Sequence, residues 1–534
     1  MRDAPNFLLF ITDQQRADHL GCYGNPLLRT PHIDGIAQRG WRFDRFFVAN
    51  PICMPNRATL MTGRMPTLHG VRHNGVPLSL QQTTFVERLR AEGYRTALVG
   101  KSHLQNFTGE PVKFPPRYEA GTRPPPEGMT DAWHGLLRGK EYDNEQPADW
   151  MSDPAPQVRL PFYGFDHVEL CTWHGDMVQG HYLRWLRDKD PAALARWGAE
   201  HSEIMAGYSA PQARRPRVPE ELYPSSYIAE RTTVWLQEHA RAGGGQPFFM
   251  QCSFPDPHHP FTPPGKYWNM YDPAAIVLPP SFYQPAIGQA PLLAEAHDEL
   301  RRGVAKRDWV GEYAVLEHEA KQITALTYGM IGLIDDCVGR VLAALNDLNL
   351  DRDTVVMFTS DHGDWMADHG MMQKGPLHYR GLIRVPFIWS DPAAPAPGSV
   401  TSELAGTLDI ARSVLDRAGL APHNGMQGQP ANRIVSEGKA SQHDGLVVEQ
   451  TTQRPVPGFT EPVRVRTFVD RDWRLSLWSG MDRGELYNLG DDPFEQRNLW
   501  DDPASYHNRS ELMHRMLVKM IELQDWSPQQ VQQA

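Results

Sequence analysis

Asn6-Phe7-Leu8-Leu9-Phe10-Ile11-Thr12 is an apolar run of strand length, and it stops at once on two polar residues, Asp13-Gln14. The same arrangement recurs downstream. Thr96-Ala97-Leu98-Val99-Gly100 ends at Lys101-Ser102-His103, and Pro247-Phe248-Phe249-Met250-Gln251-Cys252-Ser253-Phe254 runs into Asp256-Pro257-His258-His259-Pro260. Thr354-Val355-Val356-Met357-Phe358-Thr359-Ser360 ends at Asp361-His362-Gly363-Asp364. Nearly continuous apolar strands suit a parallel sheet covered on both faces. Ligands of open α/β sheets bind beyond the carboxyl ends of the strands, so these polar clusters are expected to converge on one crevice. The expected fold is α/β, with a large central, mostly parallel sheet flanked by helices.

Working outward, residues 1–104 alternate between strand and helix patterns, with an amphipathic helix over Thr83–Glu92 carrying Phe85 and Leu89. The stretch from about 105 to 240 shows little periodicity. Pro115-Pro116, Pro124-Pro125-Pro126, Trp133, Trp150, Trp173 and Trp185 mark it as a loop-rich insertion around the crevice, of the kind that shapes substrate specificity. From Glu319 a helical pattern resumes, with Ile323, Leu326, Met330, Ile334, Val338, Val341, Leu342 and Leu345 at three- and four-residue steps that predict a core helix. Beyond about 420 the pattern changes to half-buried antiparallel strands at Leu446–Gln450, Val463–Val469 and Trp473–Trp478, with a helix over Ser510–Leu523. The expected division is a catalytic α/β domain over 1–420 and a smaller C-terminal α+β domain with an antiparallel sheet over 421–534.

The length of 534 residues exceeds one ordinary core, in keeping with a large domain plus a smaller one. A hydrophobic fraction of 40% and a charged fraction of 22% describe a soluble globular chain. No apolar stretch reaches the roughly 18 residues that span a bilayer, and the segment from Met1 to Pro5 has no signal-peptide character. The net charge of −11 disfavours nucleic acid and anionic membrane surfaces as partners. The 5 cysteines, Cys22, Cys53, Cys171, Cys252 and Cys337, are scattered without a Cys-x-x-Cys pair, which argues against a disulfide framework or a zinc site. A cytoplasmic location is expected.

Residue types at the strand ends point to chemistry. Asp13 and Asp361, with Gln14 and His362, offer oxygen and nitrogen donors to one divalent cation, and the predominance of hard oxygens favours calcium, magnesium or manganese over zinc. The most specific signal lies elsewhere, in Cys53-Met54-Pro55-Asn56-Arg57 followed after four residues by Thr62-Gly63-Arg64. This Cys-x-Pro-x-Arg…Thr-Gly-Arg pattern resembles the sulfatase branch of the alkaline phosphatase superfamily, at the site where a maturation enzyme oxidises cysteine to formylglycine. Glu485-Leu486-Tyr487-Asn488-Leu489, Asp492-Pro493 and Asn498-Leu499 are similar to the terminal segment of many sulfatases. The resemblance therefore covers both ends of the chain and is weakest over 105–240.

The resemblance implies an alkaline-phosphatase-like fold and hydrolysis of small-molecule sulfate esters through a covalent sulfo-enzyme on formylglycine derived from Cys53. It implies that residue 53 joins Asp13, Gln14, Asp361 and His362 on the metal. The commonest sulfatase pattern has Asp-Asp and Asp-Asn at these places. Asp13-Gln14 and Asp361-His362 instead resemble choline sulfatases and phosphonate monoester hydrolases, and the imidazole makes manganese the close alternative to calcium. Arg57 would orient formylglycine, and Lys101 and Lys374 would hold the ester's non-bridging oxygens. His258, matching the family's His-x-Pro, or Lys374 would protonate the leaving alcohol, and His103 would take the proton of the second hydroxyl so that collapse to the aldehyde expels sulfate. The alternative with the same machinery is a phosphonate monoester or phosphodiester hydrolase, whose members typically lack the Lys101-x-His103 pair. A third reading is an inactive sulfatase-like binding protein with Cys53 unmodified. The remaining partners expected are the formylglycine-generating enzyme and further copies of the chain in a homo-oligomer.

Overall fold

A computed structural model describes residues 4–108, 118–126, 128–130, 132, 137, 139–146, 150, 157–283, 290–307, 311–456 and 459–528. Its strands, in chain order, begin with β1 (Asn6–Thr12), β2 (Trp41–Phe47), β3 (Arg95–Gly100), β4 (His167–Thr172), β5 (Gln179–Gly180) and β6 (Phe248–Ser253). They continue with β7 (Tyr313–Ala314), β8 (Thr354–Ser360), β9 (Met371–Met372), β10 (Phe387–Ser390) and β11 (Ser399–Gly406). Among the described residues a 9-stranded sheet runs in the order β11-β2-β10-β8-β1-β6-β3-β4-β5. Contacts of β1 with β6 and β8, of β3 with β4 and β6, and of β11 with β2 are parallel, whereas β10 and β5 pair antiparallel. The expected mostly parallel sheet is thus found.

Every residue of β1 and β8 is buried, because the sheet is covered on both sides. Phe7, Leu9 and Ile11 join one apolar cluster with Met54 and Ala58 of the helix Cys53–Thr62 and with Phe85 and Leu89. Leu8 and Phe10 join the other, with the helices Pro31–Arg39, Pro224–Arg241 and Glu317–Asp347. Burying each such side chain contributes about 1.5–3 kcal/mol, so the alternation of faces along β1 locks its register. The helix expected over Thr83–Glu92 spans Phe85–Ala91, and Thr84 with Glu87 forms its capping box. The core helix expected from Glu319 runs from Glu317 to Asp347.

The stretch read as a loop-rich insertion contributes more regular structure than expected. It supplies β4, which extends the sheet beside β3, and the 18-residue helix Pro224–Arg241. In β4 the polar residues His167 and Glu169 interrupt the apolar pattern, yet Glu169 is neutralised by Arg231 at 2.9 Å and by the Tyr227 hydroxyl at 2.7 Å. The helix hides behind Pro224 at its first turn, a position where proline is well tolerated. Pro115, Pro116 and Trp133 lie outside the described residues.

The C-terminal part folds as expected into an antiparallel sheet of β12 (Leu446–Thr451), β13 (Arg464–Val469), β14 (Trp473–Trp478) and β15 (Glu485–Asn488). The helix Tyr506–Glu522 packs on it through Leu512 and Met516. Among the described residues no helix is long and apolar enough to cross a membrane.

Candidate active site

The parallel strands deliver their terminal residues to one place. Asp13 follows β1, Lys101 follows β3, Asp256–His259 follow β6 and Asp361-His362 follow β8. The Asp13 N–H bonds to the Asp256 carbonyl, and the Asp361 N–H to the Thr12 carbonyl, both at 3.1 Å, so sheet pairing is prolonged into the site. Opposite them Cys53 opens the helix Cys53–Thr62, all of whose residues are buried. The Met54 N–H of its first turn is capped by Asn74 Oδ1 at 3.0 Å. The helix ends at Gly63, whose φ of 64° is left-handed and whose N–H bonds to the Thr59 carbonyl. That conformation accounts for glycine in Thr62-Gly63-Arg64.

Cys53 Sγ lies 3.1 Å from His362 Nε2, 3.2 Å from Lys374 Nζ and 3.8 Å from Asp13 Oδ1. Arg57 donates from Nε to Asp361 Oδ2 at 2.7 Å and from Nη1 to the Lys101 carbonyl and Ser253 Oγ, each at 3.0 Å. Lys101 pairs with Asp13 and donates to His174 Nε2 at 2.7 Å. Lys374 Nζ also reaches Gln14 Oε1 at 3.0 Å, His258 Nε2 at 3.0 Å and His362 Nε2 at 3.1 Å. Asp13, Gln14, Cys53, Arg57, Lys101, His258, Asp361, His362 and Lys374 are therefore one constellation. His103 stands a layer outward, with its Nδ1 buried and unbonded and its ring stacked on Phe107 at 3.9 Å. His259 is held by Gln14 Nε2 at 3.2 Å.

Backbone strain and outer carboxylates hold this arrangement. Gln14 and His103 both adopt left-handed φ, 61° and 54°, a conformation costly for side-chain-bearing residues and typical of functional sites. The Gln14 N–H is secured by Asp361 Oδ1 at 3.1 Å, and its side-chain amide by Asp364 at 2.5 Å. Glu145 accepts the N–H groups of His103, Leu104 and Gln105 at 2.8, 3.0 and 3.0 Å. Burial pushes the Glu145 carboxyl up to about 7 in spite of these donors.

The electrostatics follow from charge packed away from water. Burial raises the Asp13 carboxyl, but Lys101 and Arg57, with His174 and His362, outweigh it and hold the group well below the usual range. Burial and Asp13 raise the Cys53 thiol, and Lys101, Lys374 and His362 outweigh them and lower it. Burial, reinforced by neighbouring cationic groups, depresses His103, His174 and His258 well below ordinary histidine.

Asp13, Cys53, Asp361 and His362 bring ligand atoms within 4.8 Å of one another. His362 Nδ1 lies 2.8 Å from the Gly363 carbonyl, so it donates there and leaves the Nε2 lone pair facing the carboxylates, the orientation of a metal-binding histidine. Gln14 turns its amide NH2 to Asp364 and its oxygen inward. Two carboxylates, an amide oxygen and an imidazole fit a divalent cation of the oxygen-preferring kind.

Sequence reasoning missed His174. Its ring stacks on His258 at 3.6 Å and its Nε2 accepts from Lys101. Recognising β4 as a strand would have exposed it as a strand-end polar residue like the others. Asp364 was read only as a member of the Asp361-His362-Gly363-Asp364 cluster, and Ser253 and Glu145 were given no role.

A family model described as sulfatase matches residues 5–420, and one described as N-sulphoglucosamine sulphohydrolase, C-terminal, matches residues 367–524. The chain is 27% identical to an arylsulfatase of Clostridium perfringens over 97% of its own length and 94% of the relative's. It is 22% identical to a choline-sulfatase of Rhizobium meliloti, covering 93% and 83% of the two chains. The crystal structure of a phosphonate monoester hydrolase of Agrobacterium radiobacter shares the fold with a TM-score of 0.75 at 24% identity, over 98% of this chain and 97% of that one. The chain belongs to the sulfatase family and is a sulfuric ester hydrolase.

Proposed function

We propose that the protein hydrolyses sulfate monoesters at residue 53 after Cys53 is converted to formylglycine, with one divalent cation, calcium or alternatively manganese, held by Asp13, Gln14, Asp361, His362 and residue 53. The observation that carries this reading is the convergence of both carboxylates, His362 and three cationic side chains on Cys53 at a buried helix start. When present, the cation polarises the ester oxygens, and the hydrated aldehyde supplies one hydroxyl to accept the sulfo group and a second whose deprotonation releases sulfate. Arg57 and Asp361 fix the orientation of residue 53. Lys101 and Lys374 place two ammonium groups where charge grows on the transferred group. Lys374 is the favoured proton donor to the leaving alcohol, because His258 Nδ1 lies 2.6 Å from the His259 carbonyl and so turns a lone pair at Nε2 toward Lys374. His103, whose buried Nδ1 makes no hydrogen bond, is assigned to take the proton of the second hydroxyl, against surroundings that depress its basicity.

The second reading, transfer from phosphorus with the same residues, is favoured by Gln14 and His362 as ligands. Comparing kcat/KM for an aryl sulfate and an aryl phosphonate monoester with the same leaving group decides between them. The sulfate is expected to be preferred, and a phosphonate preference would overturn the assignment to sulfur.

A further inference from the structure

Away from the active site, a cavity of about 110 Å³ lies where the segment following Gln14 meets the loop after β15. Arg16, Asp18, Asp368, Arg380, Arg384 and Glu495 line it. The carboxylates there are already engaged. Arg16 binds Asp18 and Asp368, each at 2.7 Å, while Glu495 pairs with Arg474 and accepts the Arg380 backbone N–H at 2.6 Å. Two guanidiniums are not matched in this way. The Arg380 side chain is half-buried and makes no hydrogen bond or ion pair among the described residues. Among the described residues the Arg384 side chain donates only its Nε, to the Asp44 carbonyl at 2.7 Å, and it lies over the Tyr23 ring. Burial and the proximity of Arg384 outweigh the pull of Glu495 and Asp18 and push the Arg380 guanidinium down to about 10.

We propose that this cavity is a second anion site, separate from the one that holds the ester, and that it takes a small tetrahedral dianion, sulfate or phosphate, between Arg380 and Arg384. Paired guanidiniums offer planar donor forks that match such an oxyanion, and the cavity has room for one with accompanying water. Gly381 keeps the wall open for Arg16, since a Cβ there would collide with the Arg16 guanidinium. Arg16 connects the cavity to the catalytic loops, donating to the Asp364 and Trp365 carbonyls at 3.2 and 2.7 Å. The site is thus placed to register free sulfate, the product of the established reaction, or phosphate in its stead.

The test is equilibrium dialysis of the full chain against labelled inorganic sulfate, repeated with inorganic phosphate. An excess of an aryl sulfonate is added to fill the ester site without being hydrolysed. Wild type is expected to retain a bound anion that the sulfonate does not displace, and whichever anion binds more tightly identifies the physiological source. In Arg380→Gln, loss of a charge-assisted hydrogen bond should weaken that binding on the order of tenfold or more, with kcat/KM for an aryl sulfate unchanged. Arg384→Gln should weaken it as well, and serves if Arg380→Gln does not fold. Complete displacement by the sulfonate, or wild-type binding of both anions in both variants, overturns the proposal.

Discussion

Lys374 carries more of the site's logic than its place in a loop suggests. Its ammonium touches Cys53, Gln14, His258 and His362 together, and although burial lowers its pKa, Cys53, Asp13 and Asp361 outweigh that and raise it. In the proposed reaction, a cation so held stays protonated until the leaving alkoxide takes the proton. Lys374→Ala is therefore expected to cost about 10²–10⁴-fold in kcat, the usual range for general acid catalysis. The loss should be larger for esters of poorly acidic alcohols than for activated aryl esters, which kinetics on a leaving-group series would measure; a uniform loss would make Lys374 an anion holder only. Asp13, Gln14, Lys101, Asp361 and His362 were legible in the sequence because they directly follow strands, and Cys53 and Arg57 because they sit in a dense motif, whereas Lys374 and its role came only from the family resemblance. His174 was not legible, since its neighbours gave no periodic signal and its partner Lys101 is remote in sequence.

At the level of elements, the start of the helix Cys53–Thr62 presents residue 53 and its end depends on Gly63. A Cβ on Gly63 would combine left-handed strain with a contact of 2.7 Å to Met426 Cγ. Gly63→Ala is expected to lower stability by about 1–2 kcal/mol, read as a shift in the urea midpoint. The loop before β12 meets the helix Leu408–Arg417 through His443, whose Nε2 lies 3.0 Å from both oxygens of Asp409. Burial lowers the His443 pKa, but Asp409 outweighs it and the net shift is upward. A histidine with a raised folded value stabilises fully below its unfolded value of about 6.5 and loses that contribution as pH climbs through the folded one. His443→Gln should accordingly destabilise the protein on the acid side of that window and have little effect well above it, as denaturation at both pH extremes would reveal. Elements with unbroken apolar runs, such as β1 and β8, were readable to the residue. The strand β4 was not, because its glutamate is neutralised only by tertiary partners on the helix Pro224–Arg241.

For the whole molecule, a buried charge cluster within the C-terminal part meets the rest of the chain through the Tyr379 ring and the Arg380 backbone N–H, which Glu495 accepts at 2.6 Å. Arg474, fully buried, pairs with Glu495 and with Glu485 at 3.1 Å, and its guanidinium lies 5.3 Å from the Tyr379 ring centroid. Removing one member leaves the other charges uncompensated, so Arg474→Leu is expected to cost about 3–5 kcal/mol in chemical denaturation. A loss within a few tenths of a kcal/mol would mean that the cluster contributes little and that other contacts, such as those of His378 with Thr467 and Gln450, hold the two parts together. The two-sheet architecture was readable from the contrast between unbroken and alternating apolar patterns; the charge cluster was not, since only the folded sheet brings Arg474, Glu485 and Glu495 together away from water. The most direct test of the account is the fraction of chains in which residue 53 is an aldehyde, measured by peptide mass in preparations with and without the maturation enzyme and set against aryl sulfate turnover. Turnover is expected to rise in proportion to the aldehyde fraction and to vanish in Cys53→Ala. Full turnover by protein whose residue 53 is entirely thiol would contradict it.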